Sequence, residues 1–454
     1  MKHVSSTKIH LPLAFIEPPE GAIGAPPESE RWFREIEEKT LNNLRKMFPH
    51  ISFKIYRIRT PEEASEFVES ERGSLGYVTI ILNCIAGLVR PIFFSGKPVI
   101  AIAETYGGSG EFLLEYSRAL SKGYPIIGIV TREPWNTNVL RKVGLIETLY
   151  KLRNTKILFI VSPSEEYLLK LEYPLSIHLY STLRDLQAIA GITPVVLNAQ
   201  DFVNKYYSAV NDEEAKKVAE KWVKEASEVR EEKSDEILKS AKMYLAMKKA
   251  VEDYGANAIA IDCIVLRNTR ILEAWPCLGY MELWYDNVMP VCEADPYSAL
   301  AIVLGKYLAG VNGFVVDVAV DSVREELVYY HCYAPRNPHG SSSEKLPYTI
   351  TSAHLGFKHA SVAVKLPVNE TVTAVGLIPD ERKLIIHTAK IVDIEFSEYA
   401  CSVKLVGKAN VKAIMRNWPW KSGWHRVLFF GDLRSEFKEI ATLLNLEVLE
   451  EDML

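Results

Sequence analysis

Two acids and two histidines carry the chemistry this sequence can do. Glu293 stands in PVCEADPYSAL, Pro290 to Leu300. Asp295 followed by Pro296 reads as the N-cap and first residue of a helix, because the carboxylate takes orphan amides and proline fits the first helical position. Glu293 therefore falls in the turn before that helix, where side chains often face a pocket; taken alone, the plainer reading is a solvated loop acid. Asp317 stands in GFVVDVAVD, with Phe314, Val316, Val318 and Val320 on one strand face and Val315, Asp317, Ala319 and Asp321 on the other. A run this apolar is buried on both faces, so the carboxylate must be salt-bridged or metal-bound. In ELVYYHCYAP, His331 shares a face with Leu327, Tyr329 and Tyr333, the setting of a hydrogen-bonded packing histidine. His425 stands at the mouth of a strand in NWPWKSGWHRVLFFGD, beside Trp418, Trp420 and Trp424, which suit sugar faces or an ordinary core. Two acids and one or two histidines at element ends make an oxygen-rich divalent site, which favours Mn²⁺ or Mg²⁺ over the Cys/His sets of structural zinc.

Other chemistries find little support. No GxxxxGK[ST] is present, and YGGSGEF (Tyr106 to Phe112) fits no nucleotide pattern, so it reads as a turn at the carboxyl edge of a sheet. No GxSxG, HExxH or Cys–His nucleophile pairing stands out, and His354 and His359, five apart, do not share a helix face. The six cysteines (Cys84, Cys263, Cys277, Cys292, Cys332, Cys401) form no CxxC pair and read as buried or site-lining thiols in a reducing compartment. With 53 basic and 58 acidic residues the net charge is -5, which is no nucleic-acid footprint. The N-terminus lacks a signal-peptide pattern, and the apolar region Ser298 to Val320 is broken by Lys306, Asn312 and Asp317. The expectation is a soluble, cytoplasmic protein with no membrane partner.

The elements that must position these residues follow from periodicity. The 454 residues, 48% hydrophobic, suffice for two to four domains. KIHLPLAF, ISFKIYRI, LGYVTIILN, KPVIAIAE and YPIIGIVT read as buried strands alternating with helices such as ERWFREIEEKTLNNLRKMF, which implies a mostly parallel sheet. KILFIVSPSEEYLLKL restarts the pattern near residue 152, with later strands at TPVVLNA and NAIAIDCIVL. Residues 211–255, dense in Glu/Lys pairs, read as a solvated helical hairpin. From about residue 345 short β-type runs (HASVAVKLP, ETVTAVGLI, KLIIHTAKIVDI, YACSVKLVG) indicate an antiparallel barrel or sandwich. The predicted fold class is α/β: two Rossmann-like doubly wound domains, 1–152 and 153–308, then a β-rich, barrel-like domain, 309–454.

Taken in order, these motifs resemble the L-fucose isomerase and L-arabinose isomerase superfamily, in its fucose-isomerase-like branch. Cys292-Glu293-Ala294-Asp295 looks like the family's metal-binding Glu motif, and Asp317, 24 residues on, falls where its metal-binding Asp should be. HRVLFFGDLRSEFKEIATLLNLEVL is similar to the closing segment that opens on a metal-binding His, here His425, and YHCYAP resembles a motif whose His, here His331, lies at or near the metal. AIDCIVL and WPCLGYMELWYDNVMPVCEAD extend the likeness; the first 150 residues match in organisation only. Tyr333 stands where that branch has Gly, which would narrow the pocket.

The resemblance implies an aldose–ketose isomerase acting through a cis-enediol on a sugar of the L-fucose, D-arabinose or L-arabinose type. Glu293, Asp317, His425 and His331 would hold Mn²⁺ (Mg²⁺ or another divalent cation as alternatives), and Glu293 and Asp317 would move the proton. It implies a homo-oligomer (hexamer or trimer-based) and a small-molecule sugar as the partner; the missing nucleotide motifs add the expectation of no nucleotide cofactor, and composition adds Trp418, Trp420 or Trp424 as residues to pack on the sugar. The competing reading is a sugar-binding or sensing protein without turnover; a transport-type binding protein is a third.

Overall fold

A computed structural model describes residues 9–454 apart from 23, 26, 163–177, 231–233, 273, 353–358 and 396–399. His354 and most of the helical end of KILFIVSPSEEYLLKL thus lie outside the described residues. The chain forms two compact units, residues 1–151 with 438–446 and residues 152–437 with 447–454. It is mixed α/β, with parallel sheets early and a β-rich C-terminal region. Among the described residues no helix is long and apolar enough to cross a membrane.

The first unit holds five parallel strands, β1 (Ile9–Ile16), β2 (Ile51–Ile58), β3 (Tyr77–Ile81), β4 (Val99–Glu104) and β5 (Ile126–Thr131), ordered β2-β1-β3-β4-β5. β3 and β4 are buried along their whole length, as apolar runs covered on both faces must be. The helix Glu30–Met47 buries Phe33, Ile36, Leu41 and Leu44, one helical stripe. YGGSGEF is the turn leaving β4. Two of its amides, those of Tyr106 (2.8 Å) and Gly107 (2.6 Å), donate to the Glu104 carboxylate and so are committed within the chain. A Cβ at Gly108 would lie 2.0 Å from the Ile81 carbonyl oxygen, which is why the turn needs glycine there.

The second unit begins with a four-stranded parallel sheet of β6 (Lys156–Val161), β7 (Thr193–Asn198), β9 (Ala258–Ile261) and β10 (Met289–Val291), ordered β10-β9-β6-β7. NAIAIDCIVL is not one strand. β9 stops at Ile261 because Asp262 turns its carboxylate to the Val265 amide (3.2 Å) and caps the helix Cys263–Asn268. Residues 211–255 also differ from expectation. They form two packed helices, Asp212–Glu225 and Ser234–Tyr254, separated by the short strand β8 (Glu228–Val229). The second helix buries Ala241, Met243, Ala246, Met247 and Ala250, so it is a core helix and not a solvated one. β8 pairs with β13 (Tyr348–Ser352), which pairs with β14 (Ala360–Val364).

The same unit holds β11 (Phe314–Asp321), β12 (Glu326–His331), β15 (Thr371–Ile378), β16 (Lys383–Ile394), β17 (Val403–Lys408), β18 (His425–Phe430) and β19 (Glu447–Glu450). Their order is β15-β18-β11-β12-β17-β16-β19, and β15 also pairs with β16. Six antiparallel strands therefore close on themselves, and β19 adds in parallel to β16. The helix Pro296–Ala309 packs on this ring through Gly305, where a Cβ would meet the Phe429 ring at 2.2 Å. Gly305→Ala is expected to destabilise the unit by about 1–3 kcal/mol through overpacking, read as a lower urea midpoint. An unchanged midpoint would mean that Phe429 yields without cost.

Candidate metal centre

Each candidate donor is delivered by a different element of the second unit. β10 ends at Val291, and the chain then makes a single tight turn, Cys292 to Ala294, before the helix Pro296–Ala309. Glu293 and Ala294 both sit in the left-handed region, at φ 55° and 50°. Two successive non-glycine residues held there cost of order 1–3 kcal/mol each, a strain that persists only where the surroundings impose it. Asp295 supplies part of that constraint. It caps the helix through Oδ1 (2.9 Å from the Tyr297 amide) and accepts from the Ser298 hydroxyl.

Asp317 and His425 lie directly opposite one another on β11 and β18, so their side chains share a face of the sheet. His331 is the last residue of β12. His425 Nε2 lies 3.5 Å from Glu293 Oε2 and 3.6 Å from Asp317 Oδ1, and His331 Nε2 lies 3.6 Å from Glu293 Oε1. The two imidazole centroids are 5.5 Å apart. Two overlapping sets have ligand atoms all within 4.8 Å of one another: Cys292, Glu293 and His331, and Asp317, His331 and His425.

Burial and the neighbouring charges shift the donors in different directions. Burial alone would lower His425, but its hydrogen bond to Asp295 and the charges of Glu293, Asp295 and Asp317 push it up to about 9. Burial, aided by the neighbouring His425 charge, pushes His331 down to about 3, so it is a neutral imidazole at pH 7 with a lone pair to give. Burial raises Asp317, partly offset by His425. His331 is 1% exposed, and neither of its ring nitrogens has a hydrogen-bond partner among the described residues. A buried imidazole without a hydrogen bond is costly unless something else engages it. Two carboxylates and two imidazoles linked by these distances are a donor set that would fit a divalent ion of the Mn²⁺ type. Cys292 is a weaker partner for a hard ion, since its hydrogen bond with Cys263 and its burial both raise its thiol.

The tryptophans are elsewhere engaged or open. Trp418 stacks on the Arg426 guanidinium (4.0 Å), and Arg426 follows His425 in β18, so its side chain leaves the opposite face. Trp420 and Trp424 are exposed. His359 bridges Glu236 (3.2 Å) and Arg267 (3.2 Å) and stacks on Trp275. Tyr333 is fully buried, donates to the Pro290 carbonyl (3.3 Å) and packs on Tyr280 and Phe314, so its bulk fills core.

Two residues at this centre escaped the sequence reading. Asp262, at the end of β9, is buried, and desolvation with a smaller contribution from Glu293 pushes its carboxyl up to about 7. Asp295, read only as a cap, also reaches His425: its Oδ2 lies 3.1 Å from His425 Nδ1.

No protein-family model matches the chain. By sequence it is similar to a sulfoquinovose isomerase of Clostridium sp. (strain MSTE9), 26% identical over 227 residues. That stretch is 46% of this chain and 48% of the relative, so the chain spans about half the length of the curated relative it matches. The likeness supports a sugar-isomerase family.

Proposed function

We propose that the chain is a metal-dependent aldose–ketose isomerase of the L-fucose isomerase type. The observation that carries this reading is the grouping of Glu293, Asp317 and His425 around a buried His331 that has no hydrogen bond among the described residues. The likeness to a sulfoquinovose isomerase supports the reaction class. Its substrate in this reading is a pentose or deoxyhexose of the L-fucose, D-arabinose or L-arabinose kind, or a sulfosugar such as sulfoquinovose. The active form in this reading is a homo-oligomer.

The reaction moves a proton between C1 and C2 of the sugar through a cis-enediol. Glu293, Asp317, His425 and His331 would hold the Mn²⁺, which when bound polarises the carbonyl and stabilises developing negative charge. Glu293 and Asp317 come from separate elements, the turn after β10 and the strand β11. They act as the base that takes the proton and the acid that returns it, in turn. His331, neutral and buried, offers a lone pair without competing for that proton.

The test is turnover by metal-stripped protein with Mn²⁺ added back, over a panel of aldoses that includes sulfoquinovose, read as ketose formed. The expected result is activity that depends on Mn²⁺ and vanishes in Asp317→Asn. Stoichiometric Mn²⁺ binding without turnover on any sugar would instead favour a sugar sensor. Added Mn²⁺ is also expected to raise the melting temperature, because an ion bound only by the folded chain at 100 times its Kd stabilises it by about 2.7 kcal/mol.

A further inference from the structure

We infer that Asp295 is a positioning residue for His425: its Oδ2 accepts the Nδ1–H and so aims Nε2, the nitrogen whose proton a bound ion would displace, toward Glu293 and Asp317. This rests on the metal-site reading above. An imidazole in a metal site can present either nitrogen, and the partner of the other nitrogen selects the tautomer and orients the ring. Here the selection is built into one side chain. Asp295 is 1% exposed and its two oxygens have separate duties. Oδ1 accepts the Tyr297 amide at the start of the helix Pro296–Ala309. Oδ2 accepts from the Ser298 hydroxyl and from His425 Nδ1 at 3.1 Å. Nε2 is thereby left toward Glu293 Oε2 at 3.5 Å and Asp317 Oδ1 at 3.6 Å. The helix cap and the imidazole are 130 residues apart in the chain, so one carboxylate ties the turn that carries Glu293 to the strand that carries His425.

The substitution Asp295→Asn separates the two duties. Asparagine caps helices as well as aspartate, so its oxygen keeps the Tyr297 amide. Its NH₂ group then occupies the place of Oδ2 and donates toward Nδ1. His425 must answer as an acceptor there, which moves its proton to Nε2 and points it at the donor centre. The measurement is the Mn²⁺ dissociation constant, from the free-ion electron paramagnetic resonance signal, in wild type, Asp295→Asn, His425→Ala and the double variant. Asp295→Asn is expected to weaken Mn²⁺ binding about 10–100-fold. In the His425→Ala background the same change should cost less than about twofold, because a residue that acts through His425 has nothing left to position.

If wild type binds Mn²⁺ and Asp295→Asn binds it equally well, the inference fails and the metal site stands. An equal loss in the presence and absence of His425 would overturn it too, by showing a general effect on the turn. Should wild type bind no Mn²⁺, the metal-site reading falls and takes this inference with it. Asp295→Ser, which keeps a capping oxygen but cannot reach Nδ1, replaces Asp295→Asn if that variant does not fold.

Discussion

Glu293→Gln is expected to lower kcat by about 10²–10⁴-fold while Mn²⁺ stays bound, the range general acid–base groups contribute. Glutamine keeps an oxygen that can face an ion and fills the same volume, but it cannot take or return a proton. It also inherits the same left-handed backbone at φ 55°, so the turn is strained no further. Loss of rate with full metal occupancy would therefore isolate proton transfer from metal retention. Wild-type kcat with the ion in place would sink the assignment of Glu293 as an acid/base group.

The second large effect lies on the other side of β18. Arg426, Glu451 and His387 are all fully buried. Arg426 reaches Glu451 Oε1 at 2.5 Å, Glu451 Oε2 lies 2.6 Å from His387 Nδ1, and the Tyr329 hydroxyl lies 2.9 Å from His387 Nε2. Removing one partner of a buried pair leaves a charge without compensation, so Glu451→Ala is expected to destabilise the protein by about 3–5 kcal/mol in urea unfolding. A loss below about 1 kcal/mol would show that water reaches Arg426.

The same group sets an acid limit. Burial alone would raise Glu451, but the Arg426 charge and the hydrogen bonds from His387 and Arg426 hold it down to about 2, against 4.5 for an ordinary glutamate. A depressed folded-state pKa means that the unfolded chain binds the proton first. The contribution, roughly 3 kcal/mol, is complete above about pH 4.5 and is lost as pH falls toward 2. Unfolding followed across that window should show the loss in wild type and a flatter profile in Glu451→Gln.

Much of the architecture was legible because it is local. The strands KILFIV and KLIIHTAKIVDI and the Asp295–Pro296 helix start all follow from a few neighbouring residues. The candidate donors could be picked out one by one for the same reason. Their meeting was expected only through the family resemblance, not from the residues themselves. Alternation places His331 with Leu327 and Tyr329 on a packing face, and only the tertiary fold brings its nitrogen within 3.6 Å of Glu293. Nor does sequence say that β15 pairs with both β18 and β16, which closes the ring. Asp295 was read as a cap because local chemistry accounts for one of its oxygens; the second is spoken for 130 residues away. The helix Ser234–Tyr254 misled through its charged outer face, which hides how much of it is buried.

The placement of β18 also sets an order of events for a chain made from its N-terminal end. β18 lies between β15 and β11, yet both neighbours precede it in the chain. During synthesis Glu293, Asp317 and His331 all emerge first, and the ring stays open along one seam until residues 425–430 arrive. Insertion of that one strand then brings His425 opposite Asp317 and closes the seam together, so completion of the ring and assembly of the four candidate donors are one event.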